Sequence, residues 1–237
     1  MKGRVLFAFL LLVGSLCAQL ENRSIARQQI ASGLVSTTDL SVPSGARREL
    51  DKARGLIARE DFANAEQRLH KAIAIYPNYA TAYNNLAVVY SELGDITREQ
   101  QALEKAVGID DHFALAYVNL GRMYLSKQNF AGAENALDKA SSLTPTDSVT
   151  LMLLSYCQLM LRHFDDAIAT SRRAHMLPGD HALVHQVAAN AFEHKQDAAS
   201  AISELELFLK EHPRGSSADE SRTELGILRG LGATATK

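Results

Sequence analysis

The sequence predicts an all-α protein in which five consecutive helix–turn–helix repeats are stacked and a further helix closes the C-terminal end. Residue types recur with a period of 34 positions, small residues recur where two helices would touch, and Asp, Asn or Pro recurs near predicted helix ends. Such self-similarity is the signature of stacked repeats. With only 5 proline and 14 glycine residues among 237, the composition also favours helices joined by short turns.

Small side chains mark three positions of the repeat. The 34-residue frames begin at Ala46, Ala80, Ala114, Ser148 and Ala182. Their eighth residues are Ala53, Ala87, Gly121, Ser155 and Ala189. The twentieth and twenty-seventh positions hold alanine in eight of ten cases, with Glu99 and Phe208 as the exceptions. Because two helices approach closely only where side chains are small, these positions predict the helix contacts within each repeat.

The turns and helix ends follow the same period. The sixteenth residues of the frames are Asp61, Asp95, Asn129, His163 and Asp197. An Asp or Asn at this position can cap the second helix by accepting hydrogen bonds from its free backbone N–H groups. Helix-stopping residues stand near the end of each frame, namely Pro77, Asp111, Pro145, Pro178 and Pro213.

The second and third frames carry the fullest pattern. Tyr83, Leu86 and Ala87 correspond to Tyr117, Leu120 and Gly121, and Ala133, Leu137 and Ala140 lead to Pro145. This segment resembles tetratricopeptide repeats, and the period extends the resemblance over about 170 residues. The resemblance, to an exported bacterial type of this family, implies a right-handed superhelical solenoid whose first helices line a concave groove. Lys52 and Gln158 depart from the pattern, at the positions of Leu86 and Tyr90.

The chain divides into four segments on these grounds. We expect a signal peptide over residues 1–18, a polar lead-in over 19–45, the repeat array over 46–215, and a capping helix with a tail over 216–237. The repeats are residues 46–79, 80–113, 114–147, 148–181 and 182–215. In the last segment, Leu225, Leu228 and Leu231 share one side, as a helix that closes an array requires.

The N-terminal residues have the features of a secretory signal. Lys2 and Arg4 precede an apolar run over residues 5–13, which is shorter than the roughly 20 residues of a membrane-spanning helix. Cleavage is predicted near residues 17–18, where two imperfect small-x-small sites leave the scissile bond open. The bulky Leu16 before Cys17 argues against lipid attachment. We therefore expect a periplasmic or secreted protein with no stable membrane span.

Composition and motifs exclude several functions. Loss of residues 1–18 leaves 23 basic and 27 acidic residues, a formal charge of −4 that argues against nucleic acid as a partner. The sequence contains no phosphate loop, nucleophile elbow, paired-cysteine metal site or Cys/His nucleophile arrangement. Cys157 remains as the only cysteine and lies in an apolar helix, where burial would make its thiol inert. The sequence thus predicts neither an enzyme nor a cofactor.

Candidate binding residues flank the small eighth position of the first helices. On the groove wall we expect Arg54, Asn84, Asn85, Val88, Asn119, Arg122, Met152, Tyr156, Gln186 and Asn190. The resemblance implies that Asn85 and Asn119 bond the backbone of a bound peptide, for which an amide offers both a donor and an acceptor. The alternative is that these asparagines are solenoid residues that only face water.

The first helix of the fourth repeat is apolar around most of its circumference. Core packing needs only one face of the helix. We therefore expect the remaining apolar side chains, among them Met152, Tyr156 and Met160, to be exposed in the groove. Exposed apolar patches that contain methionine often mark interaction sites. The alternative is that the lead-in or a tight superhelix covers this surface.

Histidines of the fifth repeat could suggest a metal site. His181 and His185 are four residues apart on a predicted helix, but no third ligand follows at a helical spacing. We therefore interpret them as polar surface residues and assign no metal site. Arg172, Arg173 and His175 form a basic cluster on the preceding helix, which a solvated outer face explains.

The sequence as a whole predicts an exported adaptor or assembly factor that binds a peptide segment or a neighbouring protein's helix in its groove. The alternative is a regulatory or structural subunit that associates through the apolar fourth repeat with an envelope-associated enzyme or assembly complex.

Overall fold

The computed structural model describes residues 41–178 and 182–235, which contain eleven α-helices and no strand. The helices are α1 (Ser44–Ile57), α2 (Phe62–Ile75), α3 (Ala80–Glu92), α4 (Ile96–Ile109), α5 (Ala114–Ser126), α6 (Phe130–Leu143), α7 (Ser148–Met160), α8 (Phe164–His175), α9 (Ala182–His194), α10 (Ala198–Glu211) and α11 (Ser216–Ala235). The first ten form five packed pairs, α1 with α2 through α9 with α10. The predicted all-α repeat fold is thus confirmed.

The chain forms two compact units. The first comprises α1 to α6 and ends at Pro145, and the second begins at Thr146 and comprises α7 to α11. The predicted signal peptide, nearly all of the lead-in, and His181 lie outside the described residues. Among the helices of the described ranges, none combines the length and apolar character that crossing a membrane would require.

The small residues of the repeat are the helix contacts of the first unit. Ala53, Ala65 and Ala133 have no exposed surface, and the glycine at 121 is buried. A Cβ atom on Gly121 would lie 2.5 Å from Cγ of Leu137, a fully buried side chain on the partner helix. At this position the two helices approach closely because Gly121 has no side chain, which confirms the predicted helix contact.

A left-handed residue ends the first helix in all five pairs. The fifteenth residues of the frames are Glu60, Gly94, Gln128, Arg162 and Gln196, with φ values of 63°, 74°, 55°, 65° and 62°. In the first pair, the N–H groups of Glu60 and Asp61 donate to the carbonyls of Ile57 and Leu56 at 3.0 Å. This is the Schellman arrangement, which satisfies the last carbonyls of a helix and turns the chain toward the next one.

The second helices begin at the predicted caps. The side chains of Asp61, Asp95, Asn129 and Asp197 each accept a hydrogen bond from the backbone N–H three residues later, over 3.4, 3.0, 3.0 and 3.1 Å. His163 makes no such side-chain bond at the start of α8. The capping prediction from the Asp and Asn positions is confirmed.

In the second unit, the final helix covers the last repeat. Ala218, Leu225 and Leu228 of α11 are buried, and this helix packs against α10. Asp219 and Arg222 on its other side are exposed. A capping helix requires this division into a buried apolar face and a solvent-exposed polar face.

Candidate protein-binding surface

The predicted binding residues of the first unit lie on its first helices, α1, α3 and α5. We call the surface formed by Arg54, Asn84, Asn85, Val88, Asn119 and Arg122 the first-helix surface. Two of these residues bond each other, because Asn119 donates from Nδ2 to Oδ1 of Asn84 over 2.8 Å. Both side chains are buried, so this bond links α3 to α5 inside the unit.

The asparagines do not face water. In the full-length chain Asn84 and Asn85 are 0% and 1% exposed, and Val88 is 5% exposed. This burial does not decide between the two interpretations of the asparagines, as peptide-binding residues or as solenoid residues, and both stay predictions. Sequence spacing places these side chains on one side of a helix, but it does not predict how deeply they are buried.

Several N–H donors on this surface lack hydrogen-bond partners among the described residues. They are Nε and Nη2 of Arg54 and the Nδ2 atoms of Asn84 and Asn85, all buried. The nearest charge contact of Arg54 is a weak one, from Nη1 to the exposed Asp51 at 3.7 Å. Because buried donors are nearly always paired in folded proteins, this group is unusual.

Arg122 differs from the rest of the set because it interacts with the carboxyl group of the half-buried Glu99. Burial lowers the pKa of the Arg122 guanidinium, and the carboxylate of Glu99 opposes this shift. Burial also raises the pKa of Glu99 to about 7, against a hydrogen bond to Ser91 and the charge of Arg122. Glu99 occupies the twentieth position of its frame, a helix-contact position at which the other four frames hold alanine. This position explains why its carboxyl group is partly desolvated.

The predicted apolar patch of the fourth repeat is not exposed. Tyr156 is 2% exposed in the full-length chain, which contradicts its expected exposure, whereas its assignment as a binding residue stays a prediction. Met152 is half-buried and packs against the cluster of Leu151, Ala174 and Val184, and Met160 is half-buried as well. The apolar circumference of α7 is therefore used for packing, which the expectation of a single buried face did not allow for.

The fifth repeat contributes two further predicted residues. Gln186 is half-buried and Asn190 is 8% exposed. Nδ2 of Asn190 donates to the carbonyl of Gln186 over 3.4 Å within α9. On the same helix His185 is only 2% exposed, so its interpretation as a surface residue is wrong. Sequence spacing paired His185 with His181, whereas its described histidine neighbour is His175 of the preceding helix.

Two family models described as tetratricopeptide repeat match the chain, over residues 71–101 and 114–147. The second match coincides with the pair of α5 and α6, and the first runs from the end of α2 through α3 into α4. The chain contains tetratricopeptide repeats. A comparison with curated protein sequences gives no significant match.

Solved structures similar to this tetratricopeptide-repeat protein share its fold at low sequence identity. The crystal structure of YrrB has a TM-score of 0.67 at 18% identity, covering 74% of this chain and 90% of its own. PilF of Pseudomonas aeruginosa has a TM-score of 0.66 at 18% identity, covering 94% and 98%. MamA of Desulfovibrio magneticus RS-1 has a TM-score of 0.64 at 16% identity, covering 73% and 98%. At these identities the similarity establishes the fold alone.

Proposed function

We propose that this protein is a non-catalytic scaffold that binds an extended peptide segment of a partner protein on the first-helix surface. A tetratricopeptide-repeat fold is consistent with protein binding in general, but fold does not choose the ligand. The choice rests on one observation, the buried N–H donors of Arg54, Asn84 and Asn85 that have no partner among the described residues.

Leaving a buried donor unpaired costs about 1–3 kcal/mol. A peptide that gains access to these buried groups and accepts hydrogen bonds from them would therefore recover that free energy. All four atoms are donors, which means that the complementary ligand presents acceptors. An extended peptide offers a main-chain carbonyl oxygen at every residue, and side-chain amides are suited to read it. The structurally similar YrrB is a tetratricopeptide-repeat protein with an unusual peptide-binding site, which agrees with this type of ligand.

The proposed place of action is outside the cytoplasm. This part of the proposal rests on the basic start and the short apolar run over residues 1–18, which are features of a cleaved secretory signal. A partner is therefore to be sought in the periplasmic or secreted fraction.

The test begins with capture of partners from that fraction on immobilised residues 19–237, followed by binding measurements on overlapping peptides from each captured protein. Asn85→Ala should weaken the bound peptide by about two- to tenfold, the equivalent of one neutral hydrogen bond of 0.5–1.5 kcal/mol. Because the Asn85 donor is unpartnered in the free chain, its removal breaks no hydrogen bond of that donor, and the small cavity left at this buried position should lower the melting temperature by only a few degrees.

The matched control is Asn135→Ala, which removes the same amide from an exposed position on α6. Peptide affinity should be unchanged in this variant. Equal affinity of the Asn85→Ala and wild-type proteins for every captured peptide would refute the proposed surface. Binding that requires the intact folded partner, with no affinity for peptides, would refute peptide recognition itself.

The subunit alternative has no specific observation in its favour. It depended on an exposed apolar surface of the fourth repeat, and Tyr156 at the centre of that surface is buried.

A further inference from the structure

The side chains of Glu204, Glu211 and His175 converge around His185 in the second unit. Its Nδ1 lies 2.9 Å from Oε2 of Glu204, and its Nε2 lies 3.5 Å from Oε2 of Glu211. The ring of His175 meets that of His185 edge to face, with centroids 4.7 Å apart. Thus α8, α9 and α10 each contribute at least one nitrogen or carboxylate ligand to one small volume.

His185 is unusual because only one of its ring nitrogens is satisfied. The side chain is 2% exposed, and Nε2 is buried without a hydrogen-bond partner among the described residues. The carboxylate oxygen of Glu211 lies in front of Nε2 without forming a hydrogen bond to it. A buried imidazole nitrogen that is left unpaired costs free energy, and a metal ion is one group that would engage it.

The three groups are close enough to one another to share a metal ion. One ligand atom from each of His175, His185 and Glu211 lies within 4.8 Å of the other two. Ligands at 2.0–2.1 Å around a tetrahedral ion are about 3.3 Å apart, so the 3.5 Å between His185 and Glu211 needs almost no adjustment. His175 and Glu211 are the exposed members of this group, so an ion could reach them from solvent.

The other ring nitrogen of His185 has the partner that metal-bound histidines usually have. A ligating imidazole almost always donates its second N–H to a carboxylate or carbonyl, which fixes the tautomer and aims the free nitrogen at the ion. Glu204 is placed to accept that hydrogen bond at 2.9 Å. This contact gives Glu204 a positioning role.

We propose that His175, His185 and Glu211 bind a divalent first-row transition metal ion, for which zinc is the representative. Two imidazoles and a carboxylate suit such an ion and are a poor set for calcium or magnesium, which prefer all-oxygen sites. Three protein ligands leave a fourth position for water or for a group of another molecule. The ion would tie the fourth helix pair to the fifth, because His175 lies on α8 and the other ligands lie on α9 and α10.

The experiment uses the native chain without a polyhistidine tag, stripped with a chelator and titrated with Zn²⁺ by calorimetry. We expect one equivalent to bind with a Kd below about 10 µM and to raise the melting temperature, since an ion that binds only the folded state stabilises it. With Co²⁺ as a second probe, the intense visible bands of a four-coordinate ion should appear.

Three variants test the assignment. His175→Ala and Glu211→Gln replace exposed ligands, so the fold should persist while Zn²⁺ affinity falls at least about tenfold. Glu204→Gln should weaken binding by about 10- to 100-fold through loss of the positioning carboxylate. His112→Ala is the control, because Asp110, Asp111 and His112 form the other close group of possible ligands in the described residues, and it should bind as wild type.

Several outcomes would overturn the proposal. Absence of Zn²⁺ binding and of any melting shift would leave His185 as a hydrogen-bonded structural imidazole. Full affinity in both His175→Ala and Glu211→Gln would place the ion elsewhere, as would loss of binding in His112→Ala.

Discussion

Gly121 provides the sharpest test of the packing argument. Its absent Cβ would lie 2.5, 2.8 and 3.2 Å from three carbon atoms of Leu137, whereas non-bonded carbons prefer about 3.5–4.0 Å. Leu137 is fully buried, and the first of these atoms is its branch point rather than a flexible end. Gly121→Ala therefore forces either the leucine or the helix to move by roughly an ångström.

The magnitude follows from two opposing effects. Overpacking of a core contact costs about 1–3 kcal/mol, while replacing glycine by alanine inside a helix gains about 0.5–1 kcal/mol. We expect Gly121→Ala to be destabilising by about 1–2 kcal/mol, which lowers the melting temperature by about 2–8 °C in a chain of this length. Gly108→Ala on α4 has nothing within 4 Å of the new Cβ, so it should be stabilising by about 0.5–1 kcal/mol.

A double-mutant cycle separates the clash from other effects. Leu137→Ala alone should cost about 2–5 kcal/mol because it leaves a cavity at a fully buried site. In that background Gly121→Ala no longer clashes and should become neutral or stabilising, which gives a coupling energy of about 1–3 kcal/mol by thermal or urea unfolding. Additive effects of the two changes, or a Gly121→Ala protein as stable as wild type, would refute the close-contact reasoning.

The other predictions concern a buried carboxyl group, the turns and the N-terminus. Because burial raises the pKa of Glu99 to about 7, the stability that its proton contributes is complete below about pH 4 and lost as the pH rises through 7. Thermal melts of Glu99→Gln should therefore show an advantage over wild type that grows by about 1–3 kcal/mol between pH 5 and pH 8, and a constant difference would contradict the raised pKa. Gln128→Gly should be stabilising and Gly94→Ala destabilising by about 1 kcal/mol each, since φ is 55° and 74° at these positions, and denaturant midpoints that shift the other way would exclude left-handed strain. Mass spectrometry of protein recovered outside the cytoplasm should show loss of residues 1–17 or 1–18, and an intact chain would contradict export by cleavage.

The repeat was predictable because its determinants are local and periodic. An alanine recurs where two helices touch, as Ala65 does in the first pair, and it is buried there. An aspartate recurs where the second helix begins, as Asp61 does, and it caps that helix. Glu99 was also informative: a glutamate in a column of alanines indicates a carboxyl group drawn into a helix contact.

The depth of individual side chains could not be predicted in the same way. Tyr156 lies on a helix that is apolar nearly all round, so the sequence could not say which of its faces packing would use. His185 was paired with a residue four positions earlier on the assumption of one continuous helix. His181 lies outside the described residues, and within them the ring of His175 on α8 contacts the imidazole. Contacts between helices depend on rotation about the helix axis, which a period fixes only approximately.

The two proposed sites can be tested independently because they lie in different compact units. The unpartnered donors of Arg54 and Asn85 belong to the first unit, and His175, His185 and Glu211 belong to the second. The variants of one site therefore serve as controls for the other site, because binding at the unchanged site shows that the protein is folded. His175→Ala should retain the peptide affinity of wild type, and Asn85→Ala should retain its Zn²⁺ affinity, since changes at separated sites with no shared partners are usually additive. A loss of both activities in either variant would indicate unfolding rather than removal of a binding group, and would remove the support for that site.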